Sequence, residues 1–180
     1  MKTLFFLFLT LLLIACSSEQ PADNIPAITQ EFPDQESWNT TMVITREGKT
    51  IGHLRSGHIR KYVKKNYTLL SDSLQVDFYN EKGEHTSVLR SQGGKVIDNS
   101  QDMLAYGHVV VVSDSGITLY SDTLNWDNKN QKIYSEIPVR LIRAGTDTLY
   151  GDRFISDRHL SNYEVINPHG KSAKMIRLED

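Results

Sequence analysis

The chain contains one thiol, Cys16, and its setting suits acyl transfer better than a disulfide. In Leu13-Ile14-Ala15-Cys16 a small residue stands directly before the cysteine, at the end of an apolar run that Lys2 introduces. That is the layout of a secretory signal ending in a lipobox. Cleavage after Ala15 makes Cys16 the first residue of a mature, acylated lipoprotein. An ordinary signal peptide whose cut falls near a cysteine is the alternative, and it leaves an unpaired thiol in an exported protein without a use.

No other residues converge on covalent chemistry. The six histidines, His53, His58, His85, His108, His159 and His169, are scattered, with no HExxH and no spacing of a structural metal site. His53 and His58 are a pair that one strand could bring near each other. The serines lie in strand and turn contexts, not in a Gly-x-Ser-x-Gly elbow. Asp72, Asp122 and Asp152 recur beside small residues, where an aspartate accepts hydrogen bonds from turn amides. No glycine-rich loop joins a strand to a helix, so no nucleotide cofactor is expected. The reading is of a non-enzyme with no metal or cofactor. A cluster of bases, Arg55, His58, Arg60, Lys61, Lys64 and Lys65, is either a solvated face or a surface for anionic headgroups or phosphorylated sugars.

The elements that carry these residues follow from composition and pattern. Residues 1–15 read as the signal and 16–38 as a lipidated flexible tether containing Pro21, Pro26 and Pro33. The rest is one domain over 39–172 with a C-terminal tail over 173–180. The apolar start is short for a bilayer core of about 30 Å, so the chain is anchored and not spanning. A net charge of -2 offers no basic field for nucleic acid.

From Thr41 onward strand signals are dense. Val109-Val110-Val111-Val112 runs to the turn Asp114-Ser115-Gly116, and Ile117-Thr118-Leu119-Tyr120 restarts the pattern. Leu74 to Tyr79 leads into Asn80-Glu81-Lys82-Gly83, and Val139 to Arg143 into Ala144-Gly145-Thr146-Asp147. These blocks repeat at an offset of thirty. Leu119-Tyr120-Ser121-Asp122-Thr123-Leu124 aligns with Leu149-Tyr150-Gly151-Asp152-Arg153-Phe154, Val109 with Val139, Met103 with Ile133, and Ser91 with Ser121. Fixed-period hairpins indicate stacked rungs that bury one face against their neighbours. The expectation is an all-β, elongated antiparallel sheet rolled over on itself, with bends at Gly107 and Gly151. The tetravaline run is either a strand covered on both faces or one whose second face lines an apolar trough.

The ordered motifs resemble the LptC family of lipopolysaccharide-export proteins and their OstA-like relatives. Leu104 to Val111 is similar to the family's L-x-G-x-V strand, Gly116 to Trp126 to G-x-x-L-x-T/S-D-x-L-x-W/Y, and Ile133 to Val139 to I-x-S-D-x-P-V. Gly145 through Asp152 and Leu160-Ser161-Asn162-Tyr163 complete the series, and the resemblance spans roughly residues 40 to 170. It implies an open, twisted β-jellyroll of V-shaped section. It also implies a periplasmic bridge that accepts lipopolysaccharide from an inner-membrane ABC transporter and passes it on. An LptA-like periplasmic protein would then join by edge-strand pairing.

Familiar members keep an uncleaved N-terminal helix, whereas this chain carries the Cys16 motif. Ser17 is not the aspartate that retains many lipoproteins at the inner membrane. An inner-membrane anchor facing the periplasm is nevertheless expected from the role, with the outer membrane as the alternative. Strand alternation assigns Leu74, Val76, Val109, Val111, Leu119, Leu124, Val139, Leu141 and Phe154 to the cargo-facing side. A structural or adhesion β-rich envelope lipoprotein, a carrier of a different apolar ligand, and a lipid-processing enzyme stay open as other readings.

Overall fold

A computed structural model describes residues 31–143 and 147–171. The expected signal, Cys16, most of the expected tether, residues 144–146 and those beyond 171 lie outside them. The described residues hold thirteen strands, all in one sheet: β1 Gln35–Arg46, β2 Lys49–Tyr62, β3 Tyr67–Tyr79, β4 His85–Ser91, β5 Gly93–Ile97, β6 Met103–Ser113, β7 Ile117–Asp127, β8 Lys132–Ser135, β9 Val139–Arg143, β10 Asp147–Gly151, β11 Arg153–Ser156, β12 Tyr163–Ile166 and β13 His169–Lys171. A single 3-10 turn, Val63–Lys65, joins β2 to β3. Every pairing is antiparallel. The all-β, stacked-strand architecture expected from the repeat is what the chain adopts.

The sheet forks because its long strands cross from one half-sheet to another. Residues Leu74–Tyr79 of β3 pair with β4, while Tyr67–Leu70 of the same strand pair with β5. Strand β6 meets β4 through Val110–Ser113 and β5 through Met103–Tyr106. Strand β7 meets β9 through Ile117–Tyr120 and β8 through Asn125–Asp127. One half-sheet therefore runs β2-β3-β4-β6-β7-β9-β10-β13 and the other β2-β3-β5-β6-β7-β8-β11-β12. β1 lies along the length of β2 and borders both.

The crossing line is a row of unusual backbone. Asn39, Asp72, Ser73, Gly107 and His108 all have positive φ, between 49° and 77°. Gln92, 136–138, Asp152 and 167–168 interrupt the other strands along the same line. Gln92, Asp122 (opposite the break at Gly107–His108) and Asp152 are thirty residues apart, with a further corner between each pair, so the sequence period spans two corners, one for each strand of a hairpin. Gly107 is one of the expected bends, and Gly151 ends β10 at another.

Turning a strand strands its carbonyls, and buried or half-buried serines satisfy them. Ser56 Oγ shares its one proton between the carbonyls of His58 (3.1 Å) and Ser71 (3.0 Å), while Ser91 Oγ donates to that of Gly93 (2.9 Å) and Ser135 Oγ to that of Ile137 (3.0 Å). Each of the three reaches the carbonyl two residues on, across the bend. The turns behave as their glycines require: the Gly83 amide donates to Asn80 O and the Gly116 amide to Ser113 O, both at 3.0 Å.

Between the half-sheets lies one apolar cluster that includes Leu54, Leu70, Val76, Val111, Leu119, Leu141, Phe154 and Leu160. The corner explains why residues 149–155 resist sorting by a single alternation. Leu119 and Leu124 are both buried although one is odd and the other even, and Gly151 and Phe154 repeat that slip. Of the two readings of the tetravaline run, the fully covered one is overturned: Val111 is 0 % exposed and Val112 37 %. Its outward face is surface, not trough. The sheet also begins earlier than the expected domain start at 39, because Trp38 stacks on His58 at 5.0 Å and the Asp34 amide donates to Lys61 O.

Close approach at the corner yields a stability test. A Cβ at Gly57 would stand 2.1 Å from the carbonyl oxygen of Asp72, while one at Gly83 meets nothing. Gly57→Ala is expected to lose about 3 kcal/mol in urea unfolding. Gly83→Ala, which only forces a side chain into the left-handed region, should lose about 1–2 kcal/mol. Equal losses would show that the corner gives way freely.

Candidate functional site

At one end of the cluster the half-sheets do not meet, and a cavity of about 280 Å³ remains. Its walls are apolar and come from both halves: Leu74, Val76, Phe78 and Leu89 on one side, Leu70, Met103, Ala105, Leu124, Trp126 and Ile133 on the other. Ile44 and Ile51, at the β1–β2 end, complete it. The rim is polar, with Arg46, Lys95, Gln101, Asn125, Asn128 and Arg158.

Two devices tie the rim together. Arg46, the last residue of the edge strand β1, reaches the β7–β8 turn and donates to Gln131 Oε1 and to Asn128 Oδ1 (3.2 Å). The second is the loop between β11 and β12, which leaves one half-sheet and anchors on the other. Leu160 at its tip is fully buried, and Ser113 Oγ donates to the His159 carbonyl at 3.3 Å. Asp157 shapes that loop by accepting from the amides of His159, Ser161 and Asn162, each at 3.0 Å.

The protonation of this loop follows from its hydrogen bonds. An Arg Nε can only donate, so the 2.9 Å bond from Arg158 Nε to His159 Nε2 requires a lone pair there. The ring proton then sits on Nδ1 and points at Thr86 Oγ1 (3.0 Å), which donates onward to Phe78 O (3.2 Å). Burial pushes the His159 pKa down, and the Arg158 charge pushes the same way against Asp157. Burial also lowers Arg158, with Arg46 adding repulsion while Glu81 and Asp157 oppose. For Asp157, burial raises the carboxyl, but its hydrogen bonds from Ser161, Asn162 and His159 outweigh that and hold it below the usual range.

All nine cargo-side residues inferred from alternation are buried between the half-sheets. Leu74, Val76 and Leu124 line the cavity; Val109, Val111, Leu119, Val139, Leu141 and Phe154 belong to the closed part of the cluster. The basic cluster is partly neutralised. Arg55 bonds Asp77 at 2.5 Å, His58 Nε2 lies 3.5 Å from Glu36, and Lys61 Nζ lies 3.7 Å from Asp98. His53 and His58 do not form a site together, since His53 contacts Tyr79 and His58 contacts Trp38. Among the described residues no group of three or more His, Cys, Asp or Glu is placed to hold a metal. Nor is any described helix long and apolar enough to cross a membrane.

The family model described as "Lipopolysaccharide-assembly, LptC-related" matches residues 3–151. The chain belongs to the LptC family. Among solved structures, this LptC-family chain is similar to LptH, the LptA-homologous periplasmic component of the lipopolysaccharide transport device of Pseudomonas aeruginosa. The identity is 10 % and the TM-score 0.49, over 63 % of this chain and 80 % of that one. No curated protein matches.

Sequence reasoning missed Arg46, Arg158 and the Asp157–Asn162 loop as parts of this LptC-family site. The available signal was the Asp157 to Asn162 spacing, an aspartate followed by polar turn residues. The loop should respond to mild acid. With its folded pKa lowered beneath the ordinary 6.5, His159 contributes stability that is complete above that value and lost as pH falls through the folded pKa. Melting temperature should therefore drop from about pH 7.5 to about pH 5.5, and His159→Gln should flatten that slope. An identical slope in the variant would remove His159 from the account.

Proposed function

We propose that this protein is a periplasmic bridge component for lipopolysaccharide. It accepts the lipid from an inner-membrane ABC transporter, holds acyl chains between its half-sheets, and passes them to an LptA-like protein. The observation that carries this reading is the apolar cavity at the unsealed end of the cluster, supported by membership of the LptC family. Each methylene kept from water there is worth about 0.8 kcal/mol, so a multi-chain lipid needs continuous apolar walls along its path.

The cavity is smaller than the roughly 300–1,000 Å³ of pockets that enclose a drug-sized ligand. Several acyl chains therefore enter only if the half-sheets part at the rim. The corner row supplies the pivot, and the Arg46 contacts and the Asp157–Asn162 loop are what must release. The remaining cargo-side residues, from Val109 to Phe154, then become wall in sequence as the cluster opens.

Edges supply the couplings. Among the described residues β1 pairs only with β2, with Trp38 61 % and Val43 57 % exposed, and β12 and β13 each pair on one side. Unpaired strand edges join by β-augmentation. In this reading the β1 edge faces the transporter and the C-terminal edge takes the LptA-like partner. Acylated Cys16 holds the domain at the inner membrane by a tether of about 20 residues, whose reach is about 5–6 Å × √n.

A photo-crosslinking residue at Phe78 or Met103, inside the cavity, is expected to transfer label to lipopolysaccharide in cells, and one at the outward Val112 is not. Label on a phospholipid instead would favour a carrier of another apolar ligand, and label from Val112 alone would end the cavity reading. Separately, Cys16→Ala should abolish incorporation of radiolabelled palmitate and release the protein from washed membranes. Retention of both properties would exclude the lipid anchor.

A further inference from the structure

We infer that Arg46 and Arg158 form an anion subsite at the cavity's rim. It would hold the negatively charged head, phosphate or carboxylate, of an amphiphile whose chain occupies the cavity. The inference rests on the reading that the cavity takes an acyl chain, and adds what fixes the end of that chain.

Both guanidiniums line a space whose other walls are mostly hydrocarbon. Neither has a carboxylate partner among the described residues. Arg46 is parked on two neutral amide oxygens, those of Gln131 and Asn128, and Arg158 Nε on a neutral ring nitrogen. The neighbouring acids Asp157 and Glu81 attract Arg158 without bonding it: Asp157 accepts from three backbone amides and the Asn162 side chain, and Glu81 Oε2 lies 4.0 Å from Lys49.

The amide groups beside Arg46 are committed in one sense only. Asn128 Nδ2 donates to Ser100 O and Gln131 Nε2 to Asn128 O. Their oxygens are thus turned toward the cation as weak, replaceable acceptors. An oxyanion in their place makes charge-assisted, bidentate bonds that an amide oxygen does not match. It also relieves the repulsion that Arg46 exerts on the partly buried Arg158. The third cation of the rim, Lys95, is held 4.4 Å over the Tyr67 ring and is left out of the subsite.

The geometry supplies its own reporter, since Trp126 lines the cavity. In delipidated full chain carrying Trp38→Phe, Trp126 fluorescence would follow titration with dodecyl phosphate, dodecanoate and dodecanol. Both anions are expected to bind about tenfold or more tightly than the alcohol. A larger gain for dodecyl phosphate assigns the head as phosphate, and a larger gain for dodecanoate as carboxylate. Arg46→Gln with Arg158→Gln should erase the gap between the anions and the alcohol while dodecanol still binds, and its binding certifies folding. Arg46→Lys with Arg158→Lys should restore part of it.

A parent protein that binds all three probes alike, or a glutamine pair that keeps the gap, overturns the anion subsite and leaves the acyl cavity standing. Failure of every probe to bind overturns both.

Discussion

The fold depends on backbone hydrogen bonding at the line where strands change half-sheet. A strand cannot turn there without pulling carbonyls out of the ladder, and buried carbonyls left without donors are costly. The chain answers with residues that tolerate positive φ and with serine hydroxyls at Ser56, Ser91 and Ser135 that bridge the bend. Once the corner is satisfied, the two halves face each other and the apolar cluster follows. The corner also leaves the opposite margin free, since β-pairing binds strands only to their neighbours and not one half-sheet to the other.

What holds that free margin differs in kind from what holds the corner. The rim is spanned by one arginine on amide oxygens and by a loop whose anchor is a neutral histidine chain. Such contacts are individually worth about 1 kcal/mol, against the many ladder bonds that would have to break to open the corner. Leu160 is the exception, because it buries a whole side chain in the cluster. Opening the rim therefore means withdrawing one leucine and a few polar contacts. That is a modest barrier, placed at the margin opposite the corner.

Much of the sheet was legible in the sequence, because turns and repeats are local. Asn80 to Gly83 and Asp114 to Gly116 are turns for reasons contained in those residues, and the thirty-residue offset announces a hairpin rung. β1 was partly lost because an edge strand exposed on both faces has no alternation to show; Gln35 to Trp38 read as tether. The phase beyond each corner was hard to follow because a bend shifts odd to even, as between Leu119 and Leu124. The cavity was invisible for another reason. Its walls join Ile44, Leu70, Met103 and Ile133, which meet only after the halves face each other. Arg46 and Arg158 are likewise ordinary surface arginines until the topology makes them neighbours. The expected turn-capping by the repeated aspartates is also redistributed: Asp152 takes the Asn167 side chain at 2.9 Å, and Asp157 does the amide work.

Because each thirty-residue unit brings both its strands and their corners, the architecture is modular in length. Inserting or deleting one such unit changes the sheet by two strands, roughly 10 Å at the usual interstrand spacing, and leaves the cross-section alone. A sheet built this way can be lengthened or shortened without redesigning the apolar wall it encloses.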